Sequence, residues 1–260
     1  MNSRTAVLFR LALALSFALP VATFAACEAQ SAASTTALVE LYTSEGCSSC
    51  PPADQRLSHL DQVLGPTAAA IPLALHVGYW DYIGWHDPYA KDAFAERQRW
   101  LVKLNHQRTV YTPHFFVAGN ELALSDEALG AEVKRVNARP AEAEIRVKAR
   151  VDGSDVLVVN ADATARARPT PVALYLAVTE SGLSSKVTRG ENEGATLAHN
   201  HVVRAWVGPI RLEGGSVRVQ REITLAPQWK LAQLDVVAFV EDQTTGVVLQ
   251  AVNAGRCARS

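Results

Sequence analysis

Two cysteines, Cys47 and Cys50, stand where a short apolar run, Leu38 to Tyr42, gives way to a helical pattern. The stretch Thr43 to Ala53 reads TSEGCSSCPPA, and its CxxC spacing lets the two sulfurs close a small disulfide ring. Pro51 and Pro52 carry no backbone N–H, so a helix tolerates both only in its first turn and must begin at or just before Pro51. Ala53, Leu57, Leu60 and Leu64 then recur at helical spacing, with Asp54, Arg56 and Asp61 on the other face. N–H groups at a helix start lack intrahelical partners and carry partial positive charge, which favours a thiolate over a thiol. On this reading Cys47, offered to solvent, is the nucleophile and Cys50 the resolving thiol.

Residues 1–25 carry Arg4 and Arg10, an apolar run from Leu11 to Leu19, Pro20 and then small residues. This is the layout of a secretory signal peptide, too short for a membrane span, and it predicts a periplasmic or secreted protein after cleavage. Cys27 carries two readings. Phe24-Ala25-Ala26-Cys27 is a weak lipoprotein processing site that would leave a lipid anchor; alternatively Cys27 pairs with Cys257, the other cysteine outside the CxxC. An even cysteine count in an exported chain favours the disulfide. Without the leader the chain holds 23 basic and 26 acidic residues and no basic block, which argues against nucleic acid as a partner. No later stretch is apolar enough to cross a bilayer.

The first half reads as alternating strands and helices. Glu40 lies within the Leu38 to Tyr42 strand, either as a buried carboxylate that handles the resolving thiol's proton or as a solvent-facing residue at a sheet edge. Ile71 to Val77 is a second strand, making the CxxC helix a βαβ crossover. The following loop, GYWDYIGWHDPY, holds Trp80 and Trp85 and is either an apolar wall for a substrate peptide or a small aromatic core. Asp92 to Asn105 reads as a helix with Phe94, Leu101 and Leu104 on one side. In YTPHFFVAGN, Tyr111 to Asn120, a Gly119-Asn120 hairpin signal follows Thr112-Pro113, a proline placed to be cis with Thr112 offering its backbone to an incoming chain. Ser125 caps a last helix whose Leu129, Val133 and Val136 face inward, and Pro140 ends the unit.

This order of strand, CxxC, helix, strand, helix, Thr-Pro, hairpin and helix resembles the thioredoxin fold. More narrowly, VELYTSEGCSSCPPAD, HVGYWDYIGWHDPYA and YTPHFFVAGN resemble the secreted thioredoxin-like family called domain of unknown function 1223, over nearly the whole mature chain. The wider superfamily's roles, carried over position by position, imply Cys47 as attacking thiol, Cys50 as resolving thiol, and Pro113 facing them with Thr112 before it. Three features depart from thioredoxin itself. Ser48-Ser49 separates the cysteines where thioredoxin has Gly-Pro, Pro51-Pro52 follow, and Glu40 lies one residue farther from the CxxC than thioredoxin's buried acid.

From Glu142 the hydrophobic period switches to two: Ile145, Val147, Ala149 and Val151 alternate with charged residues, and Asp152-Gly153 turns the chain. Some seven short strands up to Val252 predict a compact antiparallel β-sandwich. The expected architecture is thus an α/β thioredoxin-like domain over 35–140 and a separate all-β domain over 142–257. Within RGENEGATLAHNHVVRAW, Arg189 to Trp206, His199 and His201 would share a strand face, and the segment either joins a metal site, packs, or docks on the first half or a partner.

The functional expectation is a thiol–disulfide oxidoreductase needing no cofactor. Its partners would be protein thiol or disulfide substrates and a redox partner, and Trp80, Trp85 and Tyr111 would line the substrate site. A binding module stapled by a static disulfide is the alternative. A second alternative is a Cu(I)-handling protein using both thiolates with His76, His86 or His114.

Overall fold

The computed structural model describes residues 26–122, 125–153 and 155–257, so the expected leader lies outside the described residues. Its first half runs β1 (Ala26–Gln30), β2 (Ala37–Thr43), α1 (Pro51–Ser58), α2 (Leu60–Leu64), β3 (Ala70–His76), α3 (Asp92–Leu104), β4 (His114–Val117), β5 (Asn120–Leu122) and α4 (Asp126–Asn137). Its second half runs β6 (Ala143–Asp152), β7 (Val156–Ala165), β8 (Val172–Glu180), β9 (Leu183–Lys186), β10 (Thr196–His199), β11 (Val202–Arg211), β12 (Ser216–Thr224), β13 (Leu234–Asp242) and β14 (Val248–Arg256).

Local signals act where they stand. The two prolines occupy the first positions of α1, and the helical pattern breaks at His59, yet Ala53, Leu57, Leu60 and Leu64 are all buried. Ser125 Oγ accepts from the Ala128 N–H at 3.1 Å, capping α4, which buries Leu129, Val133 and Val136. The β4–β5 turn sits one residue earlier than the Gly119-Asn120 signal: Val117 pairs with Asn120, so Ala118 and Gly119, both at positive φ, make the turn.

The expected pair of separate domains is not what forms. Strand accounts for 45% of the residues and helix for 19%, and strands of both halves build one eight-stranded sheet in the order β14-β13-β8-β11-β3-β2-β4-β5. The junction is β11 beside β3, parallel at Val202 and Ala74, with the Ala74 N–H donating to the His201 carbonyl at 2.9 Å. Alone, β3 would present a row of unpaired backbone groups, and β11 covers that edge. Hydrophobic period marks the faces of a strand but says nothing about which strand covers its edge.

A second sheet, β1-β6-β7-β12, packs face to face on the β8, β13 and β14 end of the long sheet, with Ile145, Val147 and Val159 against Leu174, Leu176 and Val236. The opposite face of the same strands, including Tyr175 and Phe239, joins the core that holds Leu38, Phe94 and Leu101. β8 is therefore buried at all nine positions, and VALYLAVTE does not alternate, whereas β6, covered on one side, alternates strictly. The halves also meet backbone to backbone. A Cβ on Gly119 would stand 1.8 Å from the Gly246 carbonyl oxygen, and the Val248 N–H donates to the Ala118 carbonyl at 3.2 Å.

One buried ion cluster ties three elements across this seam. Arg97 of α3 donates from Nε and Nη2 to Glu40 of β2 at 2.7 and 3.1 Å, and from Nη2 and Nη1 to Glu241 of β13 at 2.7 and 3.2 Å. Its guanidinium also lies within 5.6 Å of the Trp100, Tyr175, Trp206 and Phe239 ring centroids. Cys27 on β1 is paired with Cys257 beyond β14, so the disulfide reading of Cys27 is the one observed.

Candidate functional site

The CxxC leaves the end of β2 in two tight turns. The Cys47 N–H donates to the Ser44 carbonyl and the Cys50 N–H to the Cys47 carbonyl, both at 3.1 Å, and Cys47 and Cys50 form a disulfide. The helix start offers fewer free donors than its position suggests. Pro51 and Pro52 have no N–H, and those of Ala53 and Asp54 both donate to the Cys50 carbonyl, at 2.9 and 3.0 Å. The polar group beside Cys47 Sγ is instead the Ser49 hydroxyl, at 3.4 Å. Gly46 is small for a reason, since a Cβ there would stand 2.9 Å from Trp80 Cβ.

Several expected site residues converge here. Trp80 donates its indole N–H to Thr112 Oγ1 at 2.8 Å, and the Thr112–Pro113 bond is cis. Because Tyr42 pairs with His114, the antiparallel register sets Pro113 beside Thr43, at the foot of the CxxC loop. Trp85 donates to Glu45 Oε2 at 2.8 Å, two residues before Cys47. Tyr111 stands farther out, 41% exposed, stacked on His114 at 4.0 Å between centroids and donating to Glu121 at 3.1 Å.

Two expectations about this site are corrected. Cys47 is 1% exposed, so it is not offered to solvent. Its cover is the tip of the β9–β10 hairpin: Asn192 donates from Nδ2 to the carbonyls of Glu45 and Cys47 at 2.8 and 3.0 Å, and the Ser48 N–H donates to Glu191 Oε2 at 3.0 Å. The Arg189 to Trp206 segment thus docks on the first half. His199 and His201 also do not share a strand face, because β10 ends at His199 and His201 sits at φ 58° in the turn to β11.

Glu40 is fully buried, which rules out the solvent-facing edge. Its carboxylate is held by Arg97 and accepts from the Tyr42 hydroxyl at 3.2 Å. Thr43 lies three positions after Glu40, an odd offset in a strand, so Glu40 points to the α3 side of β2 while Thr43 points to the α1 side.

On the α1 side lies a buried polar cluster that sequence reasoning largely missed: Glu45, Asp54, His76, Asp87 and His199. His76 Nδ1 pairs with Asp87 Oδ2 at 2.8 Å, that same oxygen accepts from the Glu45 N–H at 2.8 Å, and His199 Nε2 pairs with Glu45 Oε1 at 2.9 Å. The two imidazoles lie edge to face, 5.0 Å between centroids. Burial pulls His76 down, but the Asp87 carboxylate, helped by Asp54 and Glu45, outweighs it and leaves His76 raised. Burial pushes Asp87 up, and His76 with two backbone N–H groups brings it below the usual carboxylate range. Asp54 is raised, because burial outweighs the pull of His76, His199 and Thr43. The signal for Asp54 was in the chain: it follows Cys50 by one helical turn and so shares its face, not the solvent face assigned to it.

Among the described residues no group of three or more His, Cys, Asp or Glu side chains is arranged to hold a metal ion, and no helix is long and apolar enough to cross a membrane. The three histidines considered for Cu(I) have separate partners: His76 on Asp87, His86 on Asp81 and His114 on Glu121.

The fold is similar to two solved structures. HBP35 of Porphyromonas gingivalis is 18% identical, with 86% of this chain and 76% of that one covered and a TM-score of 0.66. Protein AGR_C_4864 from Agrobacterium tumefaciens is 20% identical, with 85% and 94% covered and a TM-score of 0.58. At these identities the likeness is one of fold alone. No curated protein matches the chain. A family model described as "Protein of unknown function (DUF1223)" matches residues 38–241, a span that takes in the CxxC, Trp80, Trp85, Thr112–Pro113 and the covering hairpin, and the chain belongs to this family.

Proposed function

We propose that this chain is an exported thiol–disulfide oxidoreductase that uses Cys47 and Cys50 in the manner of the thioredoxin superfamily. The observation that carries the reading is the convergence of the Cys47–Cys50 disulfide with Thr112–Pro113 and Trp80 at one end of the sheet. In the reducing direction Cys47 attacks a protein disulfide, a mixed disulfide forms, and Cys50 resolves it. The Ser49 hydroxyl is placed to hydrogen-bond the Cys47 thiolate. Thr112 and the indoles of Trp80 and Trp85 provide polar and flat apolar surface for the substrate strand. The covering hairpin must lift first, and among the described residues β9 and β10 pair only with each other, so the tip can move without breaking the long sheet.

The test is to treat reduced Cys50→Ser protein with a small peptide disulfide under native conditions and weigh the product. The reading expects an adduct on Cys47 that is absent from Cys47→Ser. The burial of Cys47 favours a second reading, a secreted binding module stapled by a structural disulfide. That reading expects no adduct until the protein is unfolded.

A further inference from the structure

We propose that Asp54, backed by His76 and His199, is the group that takes the proton from Cys50 when it resolves the mixed disulfide; this rests on the exchange reading above. The role expected of Glu40 moves to the other face of β2, because Glu40 is committed to Arg97 while Asp54 shares a helix face with Cys50. The Asp54 N–H donates to the Cys50 carbonyl at 3.0 Å, which fixes the one-turn separation, and Asp54 is 7% exposed.

Four buried polar atoms here have no hydrogen-bond partner among the described residues: Thr43 Oγ1, Asp54 Oδ1, His76 Nε2 and His199 Nδ1. The Thr43 hydroxyl lies beside Asp54 without a hydrogen bond of ordinary geometry. A buried polar side-chain atom is ordinarily hydrogen-bonded, so four without a protein partner in one cluster mark a place built for polar or ionisable groups. Each imidazole is anchored through its other nitrogen, His76 on Asp87 and His199 on Glu45, and both rings act on the Asp54 carboxyl through their charge. The groups facing Asp54 are Thr43 from β2, His76 from β3, Asp87 from the loop before α3 and His199 from β10, with Glu45 behind the histidines. Burial holds the carboxyl above its usual range and so nearer to that of a thiol, as a proton acceptor for Cys50 requires.

The step balances. Cys47 Sγ has attacked a disulfide R–S–S–R′, forming the mixed disulfide Cys47 Sγ–S–R, breaking the substrate's S–S bond and releasing R′S⁻. The Cys50 proton passes to the Asp54 carboxylate, and Cys50 Sγ attacks Cys47 Sγ. The Cys47 Sγ–Cys50 Sγ bond forms, the bond from Cys47 Sγ to the sulfur of S–R breaks, and RS⁻ leaves. Asp54 then gives its proton to the departing thiolate or to water. The substrate disulfide is reduced by two electrons and the dithiol is oxidised by two.

The experiment follows thionitrobenzoate release when the reduced full-length protein, in excess, meets Ellman's disulfide between pH 5 and 9. The first equivalent reports attack by Cys47 and the second reports closure by Cys50. Asp54→Asn is expected to slow the second step by about a hundredfold near pH 6, with the deficit closing toward pH 9 as solvent removes the thiol proton. Asp54→Glu is expected to restore part of the rate and move its inflection. If Asp54→Asn does not fold, an Asp54→Glu profile superimposable on wild type overturns the assignment, and a displaced inflection supports it. Wild-type and Asp54→Asn profiles that coincide remove Asp54 and leave exchange standing. A wild-type protein that releases no second equivalent overturns both readings.

Discussion

Replacing Arg97 with methionine keeps most of the volume of α3's buried side chain and removes the only cation in the Glu40–Arg97–Glu241 cluster among the described residues. Two buried carboxylates are left facing each other across the seam between the halves. Breaking a buried ion pair in this way costs about 3–5 kcal/mol, because the abandoned charge has no water to return to. Against a total stability of about 5–15 kcal/mol, that is about a fifth of it or more. The loss depends on pH with a definite sign. Burial already raises the Glu241 carboxyl above its ordinary value, and Arg97 is the largest influence pulling it down, so removing Arg97 raises it further. A carboxyl raised in the folded state binds more protons there than in the unfolded chain, so stability falls as pH climbs above the unfolded value of about 4.3. The deficit of Arg97→Met should therefore be smallest near pH 5 and grow toward pH 8. Adding Glu241→Gln should recover part of it. Urea unfolding followed by tryptophan fluorescence, with disulfides intact, measures each quantity. A deficit under about 1 kcal/mol at pH 8, or one independent of pH, would refute a buried cluster that depends on its single cation.

Other outcomes can be checked alongside it. Asn192→Ala removes two hydrogen bonds that hold the hairpin tip over the CxxC, each worth about 1 kcal/mol, so native-state reduction of Cys47–Cys50 by dithiothreitol should accelerate by about ten- to thirtyfold; an unchanged rate means the hairpin does not limit access. His76 is raised in the folded state, so its contribution to stability is complete below the unfolded value of about 6.5 and lost as pH rises through the folded one. The stability gap between wild type and His76→Asn should accordingly narrow from pH 6 to pH 9, and a gap constant over that range would contradict the His76–Asp87 pair.

Elements were legible where their cause is local. The prolines of α1, the Ser125 cap and the strict alternation of β6 each fix a helix start or a strand face within a few residues. The pairing of β11 with β3 was not legible, because Val202 and Ala74 are far apart in the chain and neither carries a mark of the other. The same holds for the site. Cys47, Cys50, Thr112, Pro113 and Trp80 come from short motifs, and the two cysteines are bonded while Trp80 reaches Thr112. The cover over Cys47 comes from the β9–β10 hairpin, and the groups around Asp54 come from β2, β3, the loop before α3 and β10, so a residue that looks solvent-facing on an isolated helix is buried in the folded chain. Arg97 shows the same effect, a charged residue on α3 whose burial only Glu40 and Glu241 explain.

The most direct test of the exchange reading is the reduction potential of the Cys47–Cys50 pair in the intact protein. After equilibration in graded glutathione and dithiothreitol buffers, alkylated Cys47 and Cys50 peptides would be counted by mass, separately from those of Cys27 and Cys257. A potential between about −270 and −120 mV, the range of known exchange proteins, is the predicted result. A potential below about −300 mV, with the pair resisting reduction until the chain unfolds, would mark the disulfide as structural and contradict the account.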